Sequence, residues 1–147
     1  MSEQNEIVDS PTEWVNKHIK TYVESDGVDN DFNAPILLLT VKGRKSGVLR
    51  RTALIYGADG DNYVVVASKG GDPKHPEWYL NLAADPQVEV QVLAEKFTAR
   101  ARTAEGAERE RLWAELAKIW PAYDEYAEKT DRQIPIVVLE PVKAEQA

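Results

Sequence analysis

Residues 34–68 read APILLLTVKGRKSGVLRRTALIYGADGDNYVVVAS, and this stretch decides the fold. APILLLTV is an apolar run of strand length. KGRKSG is a turn carrying two glycines. VLRRTALIYG is a second strand, and ADGDN closes a hairpin, because Asp-Gly supplies positive φ at small cost. YVVVAS is a third strand. Strands joined by turns this short pair antiparallel, since a parallel crossover needs a dozen residues or more.

Working outward, KGGDPKHPEWYLNLAADP breaks the strand pattern. Its two glycines make a loop, Pro76 suits the first turn of a short helix, and Asp85-Pro86 ends that helix. QVEVQVL alternates, with Val88, Val90 and Val92 on one face. KFTARART repeats the alternation with Phe97, Ala99 and Ala101, and a tight AEK joins the two as an antiparallel hairpin with one solvated face. From Glu105 to Trp120 the period becomes helical, with Leu112, Trp113, Leu116, Ile119 and Trp120 as the apolar stripe. Pro121 breaks that helix and begins another, PAYDEYAEKT. The last strand is IPIVVLEP. Upstream, Trp14, Val15, Ile19, Tyr22 and Val23 predict a helix over 12–25 with Thr12 as N-cap. DGVDNDFN reads as loop and residues 1–11 as a disordered lead. The fold class is therefore mostly β with flanking helices, a barrel of about six mainly antiparallel strands with three or four helices. The chain is a single domain, with an N-terminal helix and loop over 1–34 and the barrel over 35–147.

The chain has 147 residues, 43% of them hydrophobic, and no cysteine. Disulfide and thiol chemistry are excluded, which fits a cytoplasmic setting. No apolar run is long enough to span a membrane, and the polar, acidic MSEQNEIVDS does not read as a secretory signal. The formal net charge is −7, which disfavours nucleic acid as a partner. The distribution matters more than the total. Between Asp31 and Asp59 there is no acidic residue, yet Lys42, Arg44, Lys45, Arg50 and Arg51 all fall there. One positive patch on a negative protein suits a small polyanion.

Four constellations could carry chemistry, and each also has a structural reading. GRKSGVLRR offers guanidinium forks and a glycine turn to an anion, or it is a solvated basic hairpin. It lacks the spacing of a Walker loop. VVVASKGG ends a strand in small residues, where a flat ring could lie against the backbone, or it is a plain strand exit. HPEWYLNL puts Trp78, Tyr79 and Asn81 on one short helix, as walls and a hydrogen-bonding amide or as a lid over the core. Trp120, Tyr123 and Tyr126 recur every three residues, as an aromatic pocket or as core. His18 and His75 have no partner pattern, so a metal site is not expected, and no nucleophile–base–acid set is visible. An enzyme built this way draws its reactive atom from a cofactor.

Taken in order, LLLTVKGRKSGVLRRTALIYG, YVVVASKGG, PEWYLNLAADPQVEVQV, the Trp120–Tyr123–Tyr126 helix and TDRQIPIVVLEP resemble the deazaflavin (coenzyme F420)-dependent nitroreductase family. The likeness runs from about Pro35 to Pro141. It implies a split β-barrel of the FMN-binding type with an elongated groove for F420, an 8-hydroxy-5-deazaflavin with an oligoglutamate tail. It would put Arg44, Lys45, Ser46 and Arg50 at the phosphate and tail. Arg51, Thr52, Ala53, Leu54 and Ile55 would run beside the ring with Val66, Ala67, Ser68 and Lys69. Glu77, Trp78, Tyr79, Leu80 and Asn81 would complete the groove. Tyr123 would border coenzyme and substrate, with Trp120 and Tyr126 above the ring. Two places depart from the nitroimidazole-activating member: Ile55 replaces a tyrosine, and Thr52-Ala53 replace Asn-Pro.

The implied reaction is hydride transfer from reduced F420 to a small electron-poor acceptor: a quinone, an activated enone or lactone, or a nitroaromatic. Tyr126 or Ser68 would orient or relay the accompanying proton, with solvent as the other source. Two alternatives stand beside this, a non-catalytic carrier of the coenzyme and an FMN-using split-barrel reductase. Peripheral contact with the inner face of the cell membrane through the N-terminal helix is left open.

Overall fold

Strand β2 (Ile36–Lys42), buried from Ile36 to Val41, is the centre from which the sheet grows. The computed structural model describes residues 7–9, 19–20, 22–25, 35–68, 75–130 and 132–142. β2 pairs antiparallel with β3 (Leu49–Asp59) through the basic turn, from Ile36↔Ile55 to Lys42↔Leu49. The hairpin from β3 to β4 (Asn62–Val66) closes at Asp59↔Asn62, with Gly60 at φ +62° as the Asp-Gly pair requires. β5 (Gln87–Val92) and β6 (Glu95–Thr103) form the alternating hairpin, and β7 (Ile136–Pro141) returns between β6 and β4. The order β3-β2-β5-β6-β7-β4, with β4 pairing back to β3, closes a six-stranded antiparallel barrel.

One expectation is corrected. Residues 7–9 are not part of a disordered lead: Ile7–Asp9 form β1, which pairs parallel with Leu49–Arg51 of β3. Among the described residues the strand count is therefore seven. The cause is β3 itself, which is 11 residues long and pairs with β4 only from Tyr56 to Asp59. Its first half leaves an open edge, and an extended segment that reaches it gains ladder hydrogen bonds. Of the N-terminal helix, residues 19–20 and 22–25 are described as helical. Ile19 and Tyr22 are buried against Ile36 and Leu38, with Val23, Ala53 and Ile55 at the margin. Thr12, Trp14 and Val15 lie outside the described residues.

Alternation sorts the side chains. Leu37, Leu39, Val41, Val65, Val88, Val90, Val92, Ala99, Ala101, Val137 and Leu139 fill the barrel interior. Helix α1 (Glu77–Ala84) plugs one end with Leu82 and the half-buried Trp78 and Tyr79. On the outer face, Val64, Val66, Ile136 and Val138 lie under α2 (Gly106–Ile119) and α3 (Ala122–Glu128). Gly57 sets how closely α2 approaches: a Cβ there would stand 2.5 Å from Leu116 Cδ2 and 3.2 Å from Ile119 Cδ1. Arg111 reinforces the contact through Asp59, at 3.0 Å.

Candidate functional site: a split between two strands

β3 cannot follow both its neighbours. Its ladder with β1 ends at Arg51, and its ladder with β4 begins at Tyr56. Between them, residues 52–55 have no ladder partner on that side among the described residues. Meanwhile β4 leaves β3 and stays with the β7 side: Val66 pairs with Ile136, and the Ala67 N–H donates to Pro135 O at 2.9 Å. A split therefore opens between residues 52–55 and 66–68.

The backbone lining this split can be assigned. The Tyr56 N–H donates to Pro35 O on the β2 side. Backbone direction alternates along a strand, so Ala53 and Ile55 turn their N–H and C=O groups away from β2, toward the split. The side chains alternate as well. Leu54 packs with the barrel interior, while Ala53 and Ile55 lie under the N-terminal helix. Small residues on both banks, Ala53 and Ala67, leave the backbone accessible to a flat group.

At one end of β3 lies the basic turn, roughly 20 Å from Ile55 at strand rise. The Gly43 N–H donates to Val48 O and the Gly47 N–H to Gly43 O, both at 2.8 Å, and Val48 N–H donates to Ser46 Oγ at 3.1 Å. A Cβ on Gly43 would meet Ser46 Oγ at 2.8 Å and Val48 O at 3.2 Å, so the turn needs glycine there. Lys45, Ser46 and Arg50 are exposed. Arg44 is already engaged: its backbone N–H (3.1 Å) and Nη1 (2.8 Å) both donate to Oδ1 of Asn81, and Nη1 also meets Glu77 Oε1 at 3.0 Å. Asn81 is 4% exposed. Three residues expected in the groove are thus brought together, with Arg44 tying the basic turn to α1. Leu80 is half-buried on the same helix.

At the other end sit Val66 and Ala67, buried, and Ser68, half-buried; Lys69 lies outside the described residues. The residue that holds this corner is Arg132. Arg132 donates from Nη1 to Ala67 O (3.2 Å) and from Nη2 to Ser68 O (2.8 Å), and Nη1 lies 3.1 Å from His75 Nδ1. His75 is therefore tied to this corner through Arg132. Burial, and then the Arg132 cation, hold its imidazole below the usual histidine range. Arg132, His75 and Tyr79 also line an adjoining cavity of about 430 Å³. The signal available in sequence was a lone arginine in TDRQIP, just before a buried strand.

The aromatic set divides. Tyr123 is 5% exposed and packs with Val64, Val66, Leu112, Leu116 and Ile136. Burial, and then Tyr126, push its phenol well above the ordinary tyrosine range. It keeps its proton and packs as part of the core. Trp120 and Tyr126 stand half-buried at the margin of the same cluster, with Tyr126 edge-on to Tyr123 at 6.2 Å. Because α3 covers Val64 and Val66, these rings border the outer side of β4 where it departs from β3. Among the described residues no group of metal-ligating side chains assembles, and no helix is long and apolar enough to cross a membrane.

A family model described as F420H(2)-dependent quinone reductase matches residues 14–141. An F420H(2)-dependent quinone reductase of Mycobacterium tuberculosis (strain ATCC 25618 / H37Rv) is 40% identical over 113 residues, covering 71% of this chain and 72% of that protein. Among solved structures, an F420-H2 dependent reductase (FDR-A) has a TM-score of 0.68 at 46% identity, covering 72% of this chain and 94% of that one. A chain described as a domain-swapped dimer has a TM-score of 0.70 at 43% identity, covering 89% of this chain and 100% of that one. The haem storage protein HutZ of Vibrio cholerae, at 15% identity and a TM-score of 0.60 over 88% of this chain and 92% of its own, shares the fold alone.

Proposed function

Because this chain belongs to the F420H(2)-dependent quinone reductase family, we propose that the split between β3 and β4 seats its coenzyme, F420, and that the reaction is hydride transfer to a quinone. The protein is an F420-dependent oxidoreductase. The observation that carries it is the split itself, with the backbone of Ala53 and Ile55 turned toward it and Ala67 and Ser68 on the opposite bank. Amide donors and acceptors spaced along a narrow slot suit a flat heterocycle with alternating carbonyls and ring N–H groups. The exposed Lys45, Ser46 and Arg50, a strand's length away, suit an anionic tail.

Reduced F420 supplies a hydride, and with it two electrons, from one carbon of its ring. The chain's own residues do the rest. Thr52 to Ile55 and Val66 to Ser68 grip the ring edges, while Glu77 to Asn81 brace the basic turn through Arg44. Trp120 and Tyr126 form an apolar margin that excludes water and stacks an acceptor ring. The Tyr126 hydroxyl or Ser68 Oγ would orient or pass a proton, and solvent would supply it otherwise. Electron-poor enones, lactones and nitroaromatics belong to the same proposal as wider acceptors. So does a cytoplasmic setting in which quinone is met at the inner face of the membrane.

The test is a fluorescence titration with oxidised F420, with FMN in parallel, followed by turnover of the reduced coenzyme with a soluble benzoquinone. With deuterium placed stereospecifically at C5 of the reduced coenzyme, the epimer labelled on the donating face should lose its label on oxidation and the other should keep it. Tighter binding of FMN than of F420, or turnover with NADPH alone, would falsify the proposal.

A further inference from the structure

Arg132 holds the Ala67–Ser68 bank of the split through its carbonyls. Its guanidinium lies behind β4, where it collects Ala67 O, Ser68 O and His75 Nδ1. Those atoms flank both ends of the 69–74 connection. Three bonds from one rigid fork are a strong constraint, because the guanidinium plane fixes the direction of each acceptor.

The direction of one peptide group follows. A trans peptide is planar, with C=O and N–H on opposite sides. The Ala67 carbonyl points at Arg132, so the Ser68 N–H points the other way. The Ala67 N–H, bonded to Pro135 O, shows that this side of β4 faces the 132–135 segment. The opposite side of β4 is the one that faced β3 as far as Val65. The Ser68 N–H is therefore aimed into the split, toward the bank that holds Ala53. A charged donor on the Ala67 carbonyl also polarises that peptide, which makes its N–H a better donor.

We infer that Arg132 is a positioning residue of this cleft: by binding the carbonyls behind it, Arg132 fixes the Ser68 N–H as a hydrogen-bond donor to whatever lies in the split. The inference rests on the proposed function only in naming the coenzyme as that occupant. It adds a residue outside the groove to the set that decides how the ring is held. Lysine keeps the charge but offers no planar fork, so it can satisfy one carbonyl well and not two.

The test has three arms. In the first, 15N-labelled wild-type protein is titrated with oxidised F420, and the Ser68 amide should move among the largest shifts. In the second, Arg132→Met is compared with Arg132→Lys. Methionine should lower the affinity for F420 by about tenfold, lysine should recover part of it, and the quinone KM should change little, as expected when about one net hydrogen bond to the coenzyme is lost. In the third, the free protein carrying Arg132→Lys should show the Ser68 amide proton shifted upfield, reporting lost polarisation. A purely structural role would lower the melting temperature of both variants and leave F420 affinity, measured well below that temperature, unchanged; that result overturns the inference. If Arg132→Met does not fold, the lysine variant and the wild-type titration decide. If wild-type protein binds F420 while the Ser68 amide stays still, the inference falls and the functional reading stands. If wild-type protein does not bind F420 at all, both fall.

Discussion

Arg44 has two carboxamide or carboxylate partners, and they should differ sharply in what they contribute. Asn81 Oδ1 is buried and accepts two bonds from Arg44, one from its backbone N–H at 3.1 Å and one from Nη1 at 2.8 Å. Glu77 Oε1 accepts one at 3.0 Å, but its side chain is 74% exposed. A neutral hydrogen bond contributes about 0.5–1.5 kcal/mol and one to a charged group about 1.5–3. Asn81→Ala should therefore cost roughly 2–4 kcal/mol. At about 2–4 °C per kcal/mol for a domain near this size, the melting temperature falls by about 4–16 °C. Glu77→Ala removes an exposed ion pair and should cost about 0–1 kcal/mol. Asn81→Asp keeps the acceptor and should recover much of the loss. The assay is thermal unfolding by circular dichroism with urea titration in parallel, on all three variants. If Glu77→Ala destabilises as much as Asn81→Ala, or Asn81→Ala melts within about 2 °C of wild type, the buried acceptor is not what anchors the basic turn.

Two further outcomes follow from packing and charge. Gly57→Ala drives a Cβ into Leu116 and should cost about 1–3 kcal/mol, with Leu116→Ala partly restoring stability in the double variant; denaturant midpoints read both. His75 has a folded pKa below its unfolded value of about 6.5, so the fold favours the neutral ring and that contribution is present above pH 6.5. It is lost as pH falls through the folded value, with Arg132 as the facing cation and Glu105 and Arg109 lining the same cavity. Wild type should thus lose more stability than His75→Gln between about pH 7.5 and pH 5.5, and parallel curves would remove His75 from the account.

Local pattern carried a good deal of this. The strands over 36–66 and 87–103 follow from alternation and turn chemistry, and the stripe at Leu112 and Leu116 faces the barrel as its spacing requires. Pattern could not decide pairings between distant residues. Nothing near Arg44 says that its acceptor stands 37 positions away on α1, and nothing near Ser68 says that a guanidinium 64 positions later holds its carbonyl. Tyr123 shows a different limit. Its spacing from Trp120 and Tyr126 is the same for a pocket and for a core, and only the face of β4 beneath α3 separates the two. β1 was missed because three residues carry no period; what fixes it is the vacant margin of β3.

That margin has a cost when nothing fills it. A barrel protects itself from other chains by having no free strand margins, and among the described residues this one leaves a gap four residues long in β3, beside the departing end of β4. A planar guest bonded to both banks would act as a missing rung and join the two strands across the gap. A slot that seats a cofactor in this way would also be the seam at which the empty protein opens first and pairs with a foreign strand. Cofactor supply would govern how long the polypeptide survives as well as how fast it works: protein made faster than its guest would exchange amide hydrogens and associate from this seam first.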